Sequence, residues 1–402
     1  MTGDLANLLG GVVGCARTCF EEITKTPIVC FDMGGTSTDV SRFGGTFEHV
    51  FESTTAGVTI QSPQLDINTV AAGGGSILTW RNGLFAVGPE SASSHPGPAC
   101  YRKGGPLAVT DANLFLGRLI PDFFPKIFGK TEKEALDSEV VAEKFAALAT
   151  SINTETGKSM SLQEIAYGFL DVANEAMCRP IRSLTEGKGF EITKHRLGVF
   201  GGAGGQHACE IAVKLGIKTV IIHKYSSILS AYGMALADVV HEEQEPTNEV
   251  YGDESVDRLN RRIESLKVKV LDHLLEQGVR SGDVGYECYL NMRYHGTETP
   301  MMVMRPADGD YKAEFLRIHL REFSFVFPAD KAILVDDARV RGVGHSGTND
   351  DDAKLLGTEL ENMKFRPVME TQVEREVSYK TKKRPIADRS RQRRISSLVE
   401  NR

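Results

Sequence analysis

The chain has 402 residues, of which 41% are hydrophobic and 25% are charged, as in a globular protein of roughly two to three domains. Its net charge of −7 excludes a protein whose whole surface is a basic footprint, and we expect no nucleic-acid partner. No apolar run reaches about 18 residues, so we expect no membrane span. Seven scattered cysteines without a C-x-x-C pair favour reduced thiols and a cytoplasmic location.

The first regular structure consists of two short apolar runs joined by a glycine turn. Residues 28–31 and 40–43 are predicted strands, and the turn between them belongs to the stretch FDMGGTSTDV at 31–40. Gly44 and Gly45 then predict a hairpin into a third strand over 47–52. The glycine turn therefore lies between two strands and not between a strand and a helix.

The middle of the chain changes from loops to helices. Residues 57–118 are rich in Gly, Pro and Ser, and we expect short strands joined by shaped loops there. Residues 133–186 are predicted to be helical. Ser161 and Glu164 form a capping box before an apolar-periodic run, and Pro180 is expected to kink or divide that helix.

A second glycine cluster follows these helices. It occupies 201–205, after a predicted strand over 197–200 and before a predicted helix over 207–215, and another strand is predicted over 219–222. Strand, glycine loop, helix and strand in this order predict an α/β fold with mixed sheets and flanking helices.

The remaining sequence predicts a separate C-terminal region. A strong amphipathic helix over 255–278 is followed by strands around a short helix. We therefore divide the chain into an α/β core over 1–247, an α+β region over 248–350 and a poorly ordered basic tail over 351–402. The tail is interpreted as a solvated end, with an arm that binds an anionic surface as the alternative.

The stretch 31–40 has the parts that a nucleotide phosphate site needs. Gly34 and Gly35 remove side chains where a backbone approaches a phosphate, and they permit the unusual φ values of a tight turn. Backbone N–H groups and hydroxyls of the turn can donate to phosphate oxygens. Those hydroxyls belong to Thr36, Ser37 and Thr38. Asp32 could hold Mg²⁺ through water or orient a nucleophile, and an ordinary β-turn with an incidental acid is the alternative.

The sequence also resembles known families. The loop at 31–40 is similar to the phosphate loops of actin, hexokinase and Hsp70-type ATPases, and the cluster at 201–205 is similar to their adenosine motif; a turn used only for packing is the alternative for the latter. A more specific resemblance, to the hydantoinase A/5-oxoprolinase family and closest to its eukaryotic branch, spans roughly residues 10–350. The stretches that carry it are 31–45, 63–76, 87–114, 173–185 and 200–216.

The resemblance implies an actin-like ATPase lobe that works with ATP and Mg²⁺ to hydrolyse a cyclic amide, 5-oxo-L-proline, to L-glutamate through a phosphorylated lactam. Asp32 and Thr36 are then the catalytic residues, and Asp32 is the metal ligand. The implied nucleotide-binding residues are Gly34, Gly35, Thr36, Ser37, Thr38, Gly201, Gly202, Ala203, Gly204 and Gly205. Candidates for the lactam site are Asp66, Asn68, Gly74, Ser76 and His95, with a turn or cap as the alternative for Asp66 and a structural loop for His95.

The family pattern includes parts that this sequence does not contain. It has a preceding lobe with another phosphate loop and a following hydantoinase B-like region. We therefore expect a fragment that supplies one half of the phosphate clamp, has no turnover alone, and works with a B-like region or subunit, as a homo-oligomer. The alternatives are a metabolite kinase of the same fold and an inactive fragment that only associates with a full-length partner.

Overall fold

The computed structural model describes residues 2–20, 25–50, 53–55, 58–60 and 64–344, so the predicted tail over 351–402 lies outside the described residues. The helices are α1 (Thr2–Cys19), α2 (Val109–Phe115), α3 (Ser138–Thr156), α4 (Leu162–Leu184), α5 (Ala208–Leu215), α6 (Leu229–Ala235), α7 (Asp253–Glu276) and α8 (Tyr311–Phe323). None of these helices is both long and apolar enough to cross a bilayer.

The strands alternate with these helices along the chain. In the first part they are β1 (Ile28–Met33), β2 (Thr38–Phe43), β3 (His49–Val50), β4 (Ser53–Thr55), β5 (Val58–Ile60), β6 (Gln64–Leu65), β7 (Ile67–Val70), β8 (Ser76–Arg81) and β9 (Leu84–Ser91). Later strands are β10 (Arg196–Phe200), β11 (Val220–Ile222), β12 (Val239–Val250), β13 (Val284–Tyr294), β14 (Met301–Met304) and β15 (Ile333–Gly344).

A five-stranded mixed sheet organises the first part of the chain. Its order is β11-β10-β1-β2-β7, in which β1, β10 and β11 are parallel and β2 is antiparallel to both β1 and β7. Because parallel strands end at the same edge of a sheet, the two predicted glycine loops, which follow β1 and β10, leave the sheet side by side. This confirms the predicted α/β fold with mixed sheets and flanking helices.

Strand β1 is buried on both faces of this sheet. Val29 and Phe31 belong to the large core formed with α2 to α5, whereas Ile28 and Cys30 belong to a smaller core with α1 and α6. Residues of a strand alternate between the two faces. Asp32 therefore lies on the face that α1 and α6 cover, at the edge where the glycine loops begin.

The C-terminal region has a core of its own. Its antiparallel sheet has the order β12-β15-β13-β14, and α7 packs on it through the predicted apolar stripe. That stripe is Leu259, Ile263, Leu266, Val270 and Leu274. The predicted boundary at 247/248 falls inside β12, which pairs with β15 from Val239 onward. We therefore propose that the second region begins near Val239.

Several local predictions differ from the structure. Helix α4 is not divided at Pro180 but continues to Leu184, because the proline sits near the helix end and disturbs only the last turns. The hairpin predicted at Gly44 and Gly45 is closed by one bridge between Phe43 of β2 and Phe47, and β3 pairs with β6. The last two residues of the predicted strand, 51 and 52, lie outside the described residues. The sequence does not predict the short helices α2 and α6 or the long helix α1. Helices α2 and α6 have only seven residues each, and the glycines of α1 obscure its apolar period.

Candidate functional site

The first glycine loop is a tight turn between β1 and β2. Met33 pairs with Thr38, and the Gly34 N–H donates to the Ser37 carbonyl oxygen at 3.0 Å. Neither Gly34 nor Gly35 has a positive φ, in contrast to the expectation from the sequence. A Cβ atom on Gly35 would meet no heavy atom of the described residues within 4 Å. The glycine at this position therefore supplies space rather than a left-handed backbone.

The second glycine loop lies directly beside the first. The Ala203 N–H donates to the Met33 carbonyl oxygen at 3.0 Å, which ties the two loops together. Gly201 has a φ of +79°, and a Cβ atom on it would lie 2.3 Å from Asp32 Oδ1. For Gly202 and Gly205 a Cβ atom would meet nothing within 4 Å in the described part of the chain. The loop thus combines one glycine that the backbone requires with two that border open space.

The remaining glycine of this loop has a packing role. Gly204 is buried, and a Cβ atom on it would lie 2.8 Å from Val199 Cγ1 and in contact with the Phe31 ring. The predicted nucleotide residues 201–205 therefore divide into those that border open space and those that seat the loop on the sheet. Which of them contact a nucleotide stays a prediction.

Asp32 stands between the two loops at the end of β1. Burial, and to a smaller extent charge repulsion from Asp39, raise the pKa of this carboxyl group to about 6. The Ser230 hydroxyl opposes the rise by donating to Asp32 Oδ2 at 3.2 Å. A carboxyl group with a raised pKa at a glycine-lined edge is the kind of group that active sites use.

Asp39 is a second carboxylate that the sequence reasoning missed. It pairs with Asp32 across β1 and β2, so both side chains lie on the same face of the sheet. Burial raises its pKa, and the Thr69 hydroxyl donates to its Oδ1 at 2.6 Å. The hairpin register could have found it, since a turn that pairs residue 33 with residue 38 also pairs 32 with 39.

The two carboxylates fit the chemistry of a Mg²⁺ site. Mg²⁺ takes oxygen ligands and is held by one or two carboxylates together with phosphate oxygens and water. Asp32 and Asp39 supply such oxygens beside the open space at Gly35 and Gly202. No three metal-ligating side chains converge in the described ranges, so a cation here would take its other ligands from the substrate and water.

The three hydroxyls of the first loop differ in their surroundings. Thr36 is exposed and Ser37 is half-buried. Thr38 is fully buried, and its hydroxyl donates to the Ala72 carbonyl oxygen at 2.5 Å. A hydroxyl has one proton to donate. The Thr38 hydroxyl therefore uses its donor inside the protein. Whether Thr38 contacts a nucleotide stays a prediction.

The glycine strip at 73–75 backs the first loop. The Gly74 N–H donates to the Gly34 carbonyl oxygen at 3.1 Å, and the Gly75 N–H donates to the Gly35 carbonyl oxygen at 2.6 Å. Ser76 is buried, and its Oγ accepts the Gly73 N–H at 2.9 Å. Of two predicted lactam-site residues, Gly74 holds the backbone of the first loop from behind, and Ser76 holds Gly73 within the strip. Whether either contacts a lactam stays a prediction.

The other predicted lactam-site residues are spread apart. Asp66 forms an ion pair with Lys188, which also contacts Glu48 at 3.1 Å. The register of β7 places Asp66 near the end of β2 that is distant from the loop, so the structure does not bring Asp66 to Asp32. Asn68, on β7, is half-buried and pairs with Val40 of β2. His95 is exposed on a loop that follows β9.

A buried polar network that the sequence reasoning missed supports the second loop. His207, which is fully buried just before α5, donates from Nδ1 to Asn174 Oδ1 at 2.7 Å and accepts at Nε2 from Asn113 Nδ2 at 2.9 Å. Burial and the charge of Arg118 lower its pKa to about 3. Glu210 extends the network by accepting from Asn174 Nδ2 at 2.7 Å. The network joins α2, α4 and α5 behind the loop.

Two adjacent glycine loops at one edge of this mixed sheet define an ATPase lobe of the actin, hexokinase and Hsp70 kind. The sequence profile described as Hydantoinase/oxoprolinase matches residues 5–243. The chain therefore belongs to the hydantoinase/oxoprolinase family, which confirms the resemblance stated from its motifs.

Individual relatives agree with this family. The 5-oxoprolinase of Saccharomyces cerevisiae is 54% identical over 347 residues, which are 85% of this chain and 27% of the relative. The caprolactamase subunit alpha of Pseudomonas jessenii is 32% identical over 278 residues, 67% of this chain and 38% of the relative. The chain thus spans well under half of the length of either relative.

A solved structure has the same fold. The crystal structure of the ATP-dependent caprolactamase from Pseudomonas jessenii superposes with a TM-score of 0.72 at 27% sequence identity. The match covers 84% of this chain and 49% of that chain.

Proposed function

We propose that this chain supplies part of the ATP-binding region of an enzyme that hydrolyses a cyclic amide, with 5-oxo-L-proline as substrate and L-glutamate as product. The observation that carries the proposal is the meeting of the two glycine loops beside Asp32, with open space at Gly35, Gly202 and Gly205. The names of the relatives, 5-oxoprolinase and ATP-dependent caprolactamase, support the reaction class.

The chemistry needs ATP because an unstrained lactam carbonyl is a poor electrophile. In the proposed reaction the lactam oxygen takes the γ-phosphoryl group and ADP leaves. Water then attacks the activated carbonyl carbon, and the ring C–N bond breaks with the nitrogen leaving as the protonated amine. A second water hydrolyses the resulting acyl phosphate to the free carboxylate and inorganic phosphate. Catalysis of phosphoryl transfer consists mainly of positioning and charge neutralisation. Backbone N–H groups of the first loop and the hydroxyls of Thr36 and Ser37 are the proposed phosphate donors.

Asp32, with Asp39 opposite it, is the proposed holder of Mg²⁺, which when bound neutralises phosphate charge. Burial and the neighbouring Asp39 raise the pKa of Asp32 toward neutrality, so a cation would be favoured where two carboxylates lie together. The flat ring and sugar of the nucleotide are assigned to the space beside Gly202 and Gly205. The finer partners are proposals too: a hydantoinase B-like region or subunit, a homo-oligomer, and the cytoplasm as location.

Nucleotide binding is tested by calorimetry with Mg-ATP. We expect binding by the wild-type chain and an affinity about tenfold lower for Thr36→Ala, because a hydrogen bond to a charged phosphate is lost. Thr131→Ala is the matched control, since Thr131 is an exposed threonine that lies far along the chain from both loops. No heat of binding with the wild-type chain, or equal losses in both variants, would contradict the proposal.

Cys209 offers a second readout at the same place. All seven cysteines lie in the described part of the chain, and Cys209 is the exposed one, on the first turn of α5 just after the second loop. A thiol reagent should label it first, and Mg-ATP should slow that labelling.

Turnover is tested by adding 5-oxo-L-proline, ATP and a B-like subunit and by following glutamate. Phosphorylation of a sugar instead would favour a kinase.

A further inference from the structure

Asp32 forms a hydrogen bond with a residue that is far from it along the chain. Its Oδ2 accepts a hydrogen bond from the hydroxyl of Ser230, which is 198 residues later in the chain and is the second residue of α6. The contact is made on the face of β1 that α1 and α6 cover. Nothing in the loop motif at 31–40 points to this partner.

Helix α6 has little freedom, because its backbone touches that of α1. A Cβ atom on Gly10 would lie 2.2 Å from the Ser230 carbonyl oxygen, and one on Gly14 would lie 2.5 Å from the Leu229 carbonyl oxygen. On the other helix, a Cβ atom on Gly233 would lie 1.9 Å from the Gly10 carbonyl oxygen. Only glycine permits such close approach, so the position of Ser230 is fixed by the packing of two helices.

Two glycine backbones also lie close to the carboxylate of Asp32. A Cβ atom on Gly201 would lie 2.3 Å from Oδ1, and one on Gly11 would lie 3.2 Å from Oδ2. The segment before α6 also reaches the second loop, because the Ser226 carbonyl oxygen accepts the Gly201 N–H at 3.0 Å. One segment, 226–230, therefore contacts both the acid of the first loop and the backbone of the second.

We propose that Ser230 is a positioning residue whose hydroxyl fixes the orientation of the Asp32 carboxylate, so that the packing of α6 on α1 sets the geometry of the phosphate site. Its consequence for nucleotide binding rests on the proposed function. The hydrogen bond itself does not, and it is measurable without any nucleotide.

A double-mutant cycle of denaturant unfolding tests the hydrogen bond. It uses the full chain with Ser230→Ala, Asp32→Ala and both together. Because the two side chains contact each other, we expect a non-additive effect of about tenfold in the folding equilibrium constant. Ser230→Thr keeps the hydroxyl and should restore the coupling. Ser227→Ala is the matched control, since Ser227 is exposed on the same segment. Additive effects, or an equal coupling for Ser227, would overturn the proposal.

Calorimetry with Mg-ATP then tests the consequence for the site. We expect an affinity about tenfold lower for Ser230→Ala, recovery in Ser230→Thr and no change in Ser227→Ala. Wild-type affinity in Ser230→Ala would show that the hydroxyl does not position the site and would overturn the proposal. If the wild-type chain itself does not bind Mg-ATP, the proposed function fails, and the role of Ser230 is decided by the unfolding cycle alone.

Discussion

Two glycine-rich segments of this protein lie against each other and have opposite roles. At Gly35, in the first glycine loop, an added Cβ atom would meet nothing within 4 Å among the described residues. At Gly73, in the strip behind it, the same atom would lie 2.7 Å from the backbone of Gly35 and Thr36. Glycine in the loop leaves room in front of the backbone, whereas glycine in the strip lets two main chains touch.

The comparison shows how the loop keeps its shape without filling its own space. Its carbonyl groups at Gly34 and Gly35 accept N–H groups of Gly74 and Gly75, so the strip satisfies them from behind. A loop that binds phosphate needs its N–H groups free to face the ligand. Support from the back is therefore the arrangement that leaves the front open.

The largest effect is expected for Gly73→Ala. The new methyl group would overlap three backbone atoms, so either the strip or the loop has to move. We expect a loss of about 3 kcal/mol in the free energy of unfolding, at the upper end for overpacking. Chemical denaturation of the 402-residue chain measures it. Gly282→Ala is the control, because Gly282 lies at an open position and has no positive φ. Equal stability of the two variants would break the comparison.

The second loop extends the comparison, since its front is open and its base, His207, is fully buried. The pKa of His207 is lowered to about 3 in the folded state, whereas an unfolded histidine has a pKa near about 6.5. Below the unfolded pKa the unfolded chain binds the additional proton, so stability falls as the pH falls. This histidine should account for about 2 kcal/mol of lost stability between pH 8 and pH 5.

The measurement is the pH dependence of the free energy of unfolding in wild type and His207→Gln. The variant is expected to lose less stability on going from pH 8 to pH 5, whatever its stability at pH 8. His49, whose pKa is also lowered to about 3, is present in both proteins and cancels in the difference. Parallel pH profiles would show that His207 takes up its proton at the same pH in the folded and the unfolded chain.

The sequence predicted those features that have a local cause. The strands on both sides of the first loop and the apolar stripe of α7 follow from short-range patterns, and the structure confirms them. Asp39 was within reach of the same reasoning through the hairpin register. Ser230 was not, because its contact with Asp32 depends on how two helices pack far from the motif. The position of Gly74 and Ser76 behind the first loop also could not be predicted, because a run of glycines has no periodicity that indicates which segment packs against it.

The first loop contains one buried threonine, Thr38, and one exposed threonine, Thr36, so the two can be compared in the same way as Gly73 and Gly35. Thr38→Val keeps the shape of the buried side chain but removes the donor to the Ala72 carbonyl oxygen. We expect a loss of about 1 to 2 kcal/mol in the free energy of unfolding, because a buried acceptor loses its partner. Thr36→Ala, at an exposed position, should change stability by less than about 0.5 kcal/mol. Denaturant titrations of both variants decide this, and a reversed order would contradict the assignment of the two hydroxyls.

Gly35→Ala is expected to have a small effect on stability and to be the most informative about the front of the loop. Gly35 has no positive φ, and a Cβ atom on it has open space among the residues described, so the folded state accepts the methyl group. The unfolded chain loses conformational freedom, and stability should change by less than about 1 kcal/mol in either direction.

A methyl group in front of the backbone would, however, occupy the place proposed for a phosphate. Gly35→Ala should therefore weaken Mg-ATP binding in calorimetry while it unfolds like wild type, which is the reverse of an effect through the fold. Unchanged affinity in a stable Gly35→Ala protein would mean that the open space in front of this loop is not where the phosphate binds.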